Sequence, residues 1–230
     1  MRKTLLTIIV LTIIVILGAA IYLIRPPKSA SENIQTNTEV LTPENTPNSN
    51  LALYRISQDA SKVEFDINEV LGGEDFTVVG QTNQVAGDVL VNKNDIEKSE
   101  VGTIRINART LKTDNPNRDG AISRVILKSE QDQFEFIEFK PTQIVKIPES
   151  STEDQIAIKI TGNLTIAGTT KEITFDGTVD LSSDEKITVS AQTTILYKDF
   201  DLTIPEVPFV ASVENQVILK ASLTAIRIPE

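Results

Sequence analysis

The side chains that do most enzyme chemistry near neutral pH are missing from this chain of 230 residues, which has no histidine and no cysteine. That removes the Ser-His-Asp triad, thiolate nucleophiles, iron-sulfur clusters and the usual zinc ligands. Carboxylate, lysine or tyrosine chemistry remains, and its candidates are Arg118, Asp119, Tyr197, Lys198 and Asp199. No spacing joins them into a nucleophile and its base. Arg118 and Asp119 read more simply as a surface ion pair, or as a cap fixing a turn, worth little when exposed. No catalytic residue, metal or cofactor is therefore expected. The grouping that does stand out is apolar: Phe134, Phe136 and Phe139 are three of the chain's eight phenylalanines. Rings so clustered serve either as ordinary core or as the lining of a cavity mouth.

Strands must position these rings. Residues 156–181 hold two period-two runs, Ile156, Ile158, Ile160, Leu164 and Ile166, then Ile173, Phe175, Val179 and Leu181, about a turn at Ala167-Gly168-Thr169-Thr170. Lys159, Thr161, Asn163 and Thr165 fill the alternate positions, so the spacing predicts a long β-hairpin with one dry and one wet face. A hairpin cannot bury that face alone. The same alternation recurs at Val63, Phe65 and Ile67, over 76–91, at Ile104 and Ile106, and over 187–197 and 213–228. Gly80 and Gly87 mark bends that let a strand curl. Ile122, Val125 and Ile126 fall at helical spacing behind Asn and Asp caps, predicting one short helix over 119–128. About eight long strands would leave exposed edges in a flat sheet, and closure removes them. The expected class is all-β, an eight-stranded antiparallel barrel with one short helical insertion. Small residues recur at inward positions (Gly87, Ala108, Gly162, Gly177, Ala191, Thr193, Ala221, Ala225) and there is no tryptophan to plug the lumen. An open cavity and an interior filled by Ile and Leu both fit this pattern.

Residues 4–24 are 21 uncharged positions rich in Ile, Leu and Val, long enough as a helix to cross the roughly 30 Å hydrocarbon core of a bilayer. The expectation is a transmembrane anchor over 1–25, with a cleaved signal peptide as the alternative. The run ends in Tyr22-Leu23-Ile24-Arg25-Pro26-Pro27 and not in small residues. Residues 26–50, rich in Pro, Ser, Thr, Asn and Glu, read as a disordered linker, and 51–230 as the β domain. The expected location is the cell membrane, single-pass, with the domain extracytoplasmic, or secreted or periplasmic if the segment is cut. A net charge of −10 repels phosphate backbones, so nucleic acid is not an expected partner.

A set of motifs in order resembles the YceI-like family over about 54–225. They are Tyr54-x-Ile56, Ser61-x-Val63-x-Phe65, Val79-Gly80 with Gly87, Ala108-x-Thr110-Leu111-x-Thr113 with Asn117-Arg118-Asp119, and Phe139-x-Pro141. The most specific is Ile160-x-Gly162-x-Leu164-Thr165-Ile166-x-Gly168-x-Thr170-Lys171. The resemblance implies a lipocalin-like antiparallel barrel holding a polyisoprenoid or similar amphiphile in an apolar tunnel. Ala60 stands where the family often has His, and Glu135 where it often has Pro, so the tunnel is carried over and no head-group contact is.

The resulting expectation is a membrane-tethered binding or carrier protein for a polyisoprenoid, isoprenoid quinone or fatty acyl lipid. Its expected lining is Phe65, Ile67, Phe76, Ile104, Ile106, Ile122, Val125, Ile126, Phe136, Phe139, Leu164, Ile166, Phe175 and Ile195. A homodimer is also admitted. The alternative is a structural or adhesive envelope module with a filled barrel and no ligand.

Overall fold

The computed structural model describes residues 28–31, 34–38, 40–42, 51–150, 155–205 and 210–229. The expected anchor over 1–25 lies outside the described residues, among which no helix is long and apolar enough to cross a membrane. The first six strands are β1 (Leu51–Ile56), β2 (Lys62–Leu71), β3 (Glu74–Thr82), β4 (Val85–Ala86), β5 (Asp88–Asn92) and β6 (Glu100–Val101). They are followed by β7 (Ile104–Asn107), helix α1 (Pro116–Ala121) with a wider turn over Ile122–Ile126, and β8 (Phe136–Lys146). The chain ends in β9 (Gln155–Ile166), β10 (Thr169–Asp180), β11 (Lys186–Leu196) and β12 (Val210–Arg227).

All the strands join one curled antiparallel sheet in the order β4-β7-β8-β9-β10-β11-β12-β1-β5-β6, with β2 on β12 and β3 on β2. Among the described residues the strand count is twelve, not the eight expected, because several long runs break at bends that alternation alone does not mark. The run over 76–91 becomes β3, β4 and β5: Gly87 separates β4, which pairs with β7, from β5, which pairs with β1. The hydrogen-bonded path thus runs from β4 to β6, two short strands with β5 between them along the chain.

The hairpin of β9 and β10 keeps unbroken register from Ile166 opposite Thr169 to Gln155 opposite Asp180. Its turn is two residues, Ala167 and Gly168, both at positive φ (48° and 88°), the geometry that matches strand twist and favours glycine. Pro141 sits inside β8 because a bulge between it and Gln143 relieves the ladder. The helix starts earlier than its apolar spacing implies. Asn115 caps it by accepting from the Asn117 N–H, with Pro116 in the first turn, a start signal independent of the buried face.

Inward residues form two core groups. One gathers Tyr54, Ile56, Val85, Val91, Ile158 and Ile187; the other gathers Ile67, Val78, Leu111, Ile122, Leu164 and Phe200. On the outer face, Arg55 of β1 makes a two-pronged ion pair with Asp88 directly opposite on β5, both bonds at 2.8 Å. Part of the expected linker is also seated on the wall. Ile34 is only 1% exposed, Gln35 donates to the Ile56 carbonyl at 3.0 Å, and Leu41 lies beside Gly102. A free tether was expected there.

Gly162 tests how closely β8 and β9 approach. A Cβ there would come within 2.5 Å of the Lys140 carbonyl oxygen and 2.7 Å of Pro141 Cα, both backbone atoms that cannot rotate away. Gly162→Ala is expected to lower stability by about 1–3 kcal/mol in urea unfolding. Gly120→Ala in α1, where the nearest neighbour is a side-chain atom at 3.8 Å, is expected to raise it by about 0.5–1 kcal/mol.

Candidate functional site

The curled sheet leaves two adjoining apolar chambers. The first, about 200 Å³, is walled by inward residues of β1, β5 and β7 to β12, including Ile104, Ile106, Phe139, Leu164, Phe175 and Val189. The second, about 440 Å³, lies at the helix end and is lined by Ile67, Val78, Ile122, Ile126, Leu127, Ile195, Leu202 and Ile204, among others. Phe65, Leu111, Ile137, Ile166 and Leu219 border both, forming the waist between them. Phe65 fits there because its cross-strand partner is Gly80; a Cβ on Gly80 would fall 2.1 Å from the ring. In the first chamber Phe139 and Phe175 meet edge to face at 5.1 Å.

Of the expected lining, Phe65, Ile67, Ile104, Ile106, Ile122, Ile126, Phe139, Leu164, Ile166, Phe175 and Ile195 border a chamber. Three do not, and each departs for a geometric reason. Phe136 is three positions from Phe139 on β8, so strand alternation turns it to the outer face, where the Arg105 guanidinium lies 5.2 Å over its ring. Val125 falls between Ile122 and Ile126 in the helical turn and points out, 47% exposed. Phe76, 38% exposed, sits near the start of β3 with Arg118 5.9 Å above its ring. Conversely, Ile137, Leu219 and Leu223 share the inward parity of their strands and were readable by that rule. Leu202 and Ile204 lie in irregular chain and carry no such signal.

At the edge of the second chamber stand Glu69, Asn115, Asn117, Arg118 and Tyr197. Arg118 pairs with Glu69 at 2.9 Å and with Asp114, so its charge is compensated. Asp119 does not pair with Arg118: it accepts from the Thr113 N–H and hydroxyl at 2.7 and 2.8 Å and fixes the turn before α1. Lys198 lies over the Tyr197 ring at 5.9 Å, and Asp199 is exposed. Among the described residues no three acidic side chains gather as metal ligands do. The arrangement can enclose a hydrocarbon chain; it brings no acid and base together.

A buried polar cluster lies beside this end. Glu135 and Arg109, with side chains 3% and 2% exposed, pair at 2.7 Å. Glu135 also accepts from Asn107 Nδ2 at 2.8 Å and from the N–H and hydroxyl of Ser31, both at 2.7 Å. Arg109 donates to the carbonyls of Ser129 and Ser29 at 2.6 and 3.3 Å and to Asp132 at 2.7 Å, and Lys28 also pairs with Asp132. Burial by itself would raise the Glu135 pKa. The Ser31 and Asn107 hydrogen bonds and the Arg109 charge outweigh it and hold the carboxyl below its ordinary value.

A single curled antiparallel sheet wrapped on an apolar two-chambered interior defines an all-β protein of the hydrophobic-cavity class. In sequence, the family model of the YceI-like domain matches residues 54–225. The chain belongs to the YceI-like family. Solved structures share the fold: Burkholderia cenocepacia BcnA at 15% identity, with a TM-score of 0.59 over 74% of this chain and 98% of that one. A polyisoprenoid binding domain from Saccharophagus degradans, implicated in plant cell wall breakdown, matches at 12% identity and a TM-score of 0.58, over 77% and 99%. The Campylobacter jejuni YCEI protein matches at 20% identity and a TM-score of 0.52, over 66% and 85%. No curated protein matches in sequence.

Because the Glu135 pKa is depressed on folding, its contribution to stability is present above the unfolded glutamate value and is lost as pH falls through the folded one. Urea midpoints are expected to drop from about pH 4.3 downward, and Glu135→Gln is expected to flatten that part of the profile. At neutral pH the same variant leaves Arg109 short of a buried partner and is expected to cost about 3–5 kcal/mol.

Proposed function

We propose that this protein is a membrane-tethered, extracytoplasmic carrier that holds one long apolar chain, a polyisoprenoid, an isoprenoid quinone or a fatty acyl lipid, through both chambers. The observation that carries the reading is the apolar interior: adjoining chambers of about 200 and 440 Å³ that share Phe65 in their lining. Ligand cavities run from roughly 300 to 1,000 Å³, and a water needs only about 30 Å³, so a filled structural barrel is the poorer account. The similarly folded Saccharophagus domain, described as polyisoprenoid binding, supports the same reading. The uncharged run over 4–24 supports tethering.

Magnitudes favour long ligands. Burying a methylene is worth about 0.8 kcal/mol, whereas association costs about 4–15 kcal/mol in lost freedom. Short tails cannot offset that cost. Affinity is expected to rise roughly fourfold per methylene until the two chambers are full, read by displacement of a fluorescent isoprenoid from the detergent-solubilised chain. Native mass spectrometry should show a co-purifying lipid. An empty protein that also ignores the fluorescent probe overturns the proposal.

Gly80→Val pushes the Phe65 ring into the waist, and Ala221→Phe fills the first chamber, whose wall includes Ala221. Both are expected to weaken probe binding by about fifteenfold or more, the equivalent of two lost methylenes. Unchanged far-ultraviolet circular dichroism checks that the sheet persists.

A further inference from the structure

We propose that the end of the sheet bearing the second chamber rests on the lipid bilayer, so that the chamber opens toward lipid and its ligand crosses no bulk water. The proposal builds on the tethered-carrier reading and adds an orientation to it.

Two independent features converge on that end. The first is its surface. Leu71 at the β2–β3 turn, Phe76, Val125 on the helical turn and Leu196 are 39%, 38%, 47% and 37% exposed, and the nearby Leu202, Ile204 and Pro205 line the chamber. Exposed apolar side chains gathered around a hydrophobic opening mark a lipid or partner contact.

The second is where the chain enters. Lys28, Ser29 and Ser31 are fastened to Asp132, Arg109 and Glu135. That cluster adjoins the same end: Phe134 lies against Gly168 in the β9–β10 turn, and Thr169 in turn bonds Asp201 at 3.1 Å, one residue before Leu202. From there the seated segment runs away from the opening, along β4 toward Ile56, as the Gln35 bond to the Ile56 carbonyl records. Only residues 25–27 separate Lys28 from the apolar run 4–24. Four Cα steps reach at most about 15 Å, comparable to the roughly 5–7 Å headgroup layer plus a few side chains. A wholly free linker over 26–50 would allow roughly 80 Å and any orientation. Pinned at Lys28, this end has no room to turn away.

The contact is apolar in character. The chain's net charge of −10 gives no attraction to anionic lipid, so a zwitterionic surface serves.

The chain has no cysteine, so single labels are clean. Full-length Val125→Cys and Phe76→Cys carry an environment-sensitive fluorophore in phosphatidylcholine vesicles with acyl-brominated lipid, and Ser182→Cys reports the opposite end. Neither Val125 nor Phe76 borders a chamber. Quenching of the first two labels several-fold above the third is the expected result. A fifteen-residue Gly-Ser insertion after Pro27 should erase the difference while leaving probe binding in detergent intact. Equal quenching at both ends of the full-length chain, or a chain not retained by the vesicles, overturns the orientation, whereas survival of the gradient after the insertion supports it and assigns it to the apolar surface in place of the short tether. A full-length chain without the insertion that shows the gradient but fails to bind the probe instead strikes the carrier reading alone.

Discussion

Every feature of this protein depends on the two-residue period of the extended chain. Successive side chains on a strand face opposite sides, so a run that keeps Ile, Val, Leu and Phe at one parity commits that whole face to the interior. The antiparallel ladder satisfies the backbone polar groups of the wall, which lets the enclosed volume be apolar without orphaned donors. Where parity shifts by one, a side chain changes compartments entirely. Phe136 and Phe139 show it on one strand, the first under Arg105 outside and the second against Phe175 inside.

This rule also decides how much was legible from residues alone. The β9–β10 hairpin was readable because periodicity and turn chemistry agree at Ala167 and Gly168, and the register holds along both arms. Most of the chamber lining followed from the same alternation. The breaks between β3, β4 and β5 were not readable in number, since a bend at Gly87 interrupts hydrogen bonding without interrupting the pattern. Val125 was misplaced for a different reason: over a single helical turn, three apolar residues fit the spacing while only Ile122 and Ile126 reach the chamber.

The Glu135 cluster was invisible for a deeper reason. Arg109, Glu135, Asn107 and Ser31 come from distant parts of the chain, and no local pattern announces a buried ion pair. The sequence singles out Glu135 only as standing where the YceI-like family often has proline. A proline there would offer no carboxylate to Ser31, so the seating of residues 28–31 is tied to that single substitution in character. Composition reads 26–50 as a tether because its apolar content is slight, yet buried Ile34 and several charge-assisted hydrogen bonds at Ser29 and Ser31 hold part of it.

The last strand has a consequence for how the molecule comes into being. Val210–Arg227 pairs with β11 on one side and with both β1 and β2 on the other, joining the latest residues of the sheet to the earliest. Until that stretch has emerged and docked, β1 and β2 each lack one of their two neighbours and the greasy inner face lies open along one side. Such distant pairing closes slowly and leaves sticky surface exposed meanwhile. Synthesis must therefore deliver nearly all of the sheet's residues before its interior can be sealed from water.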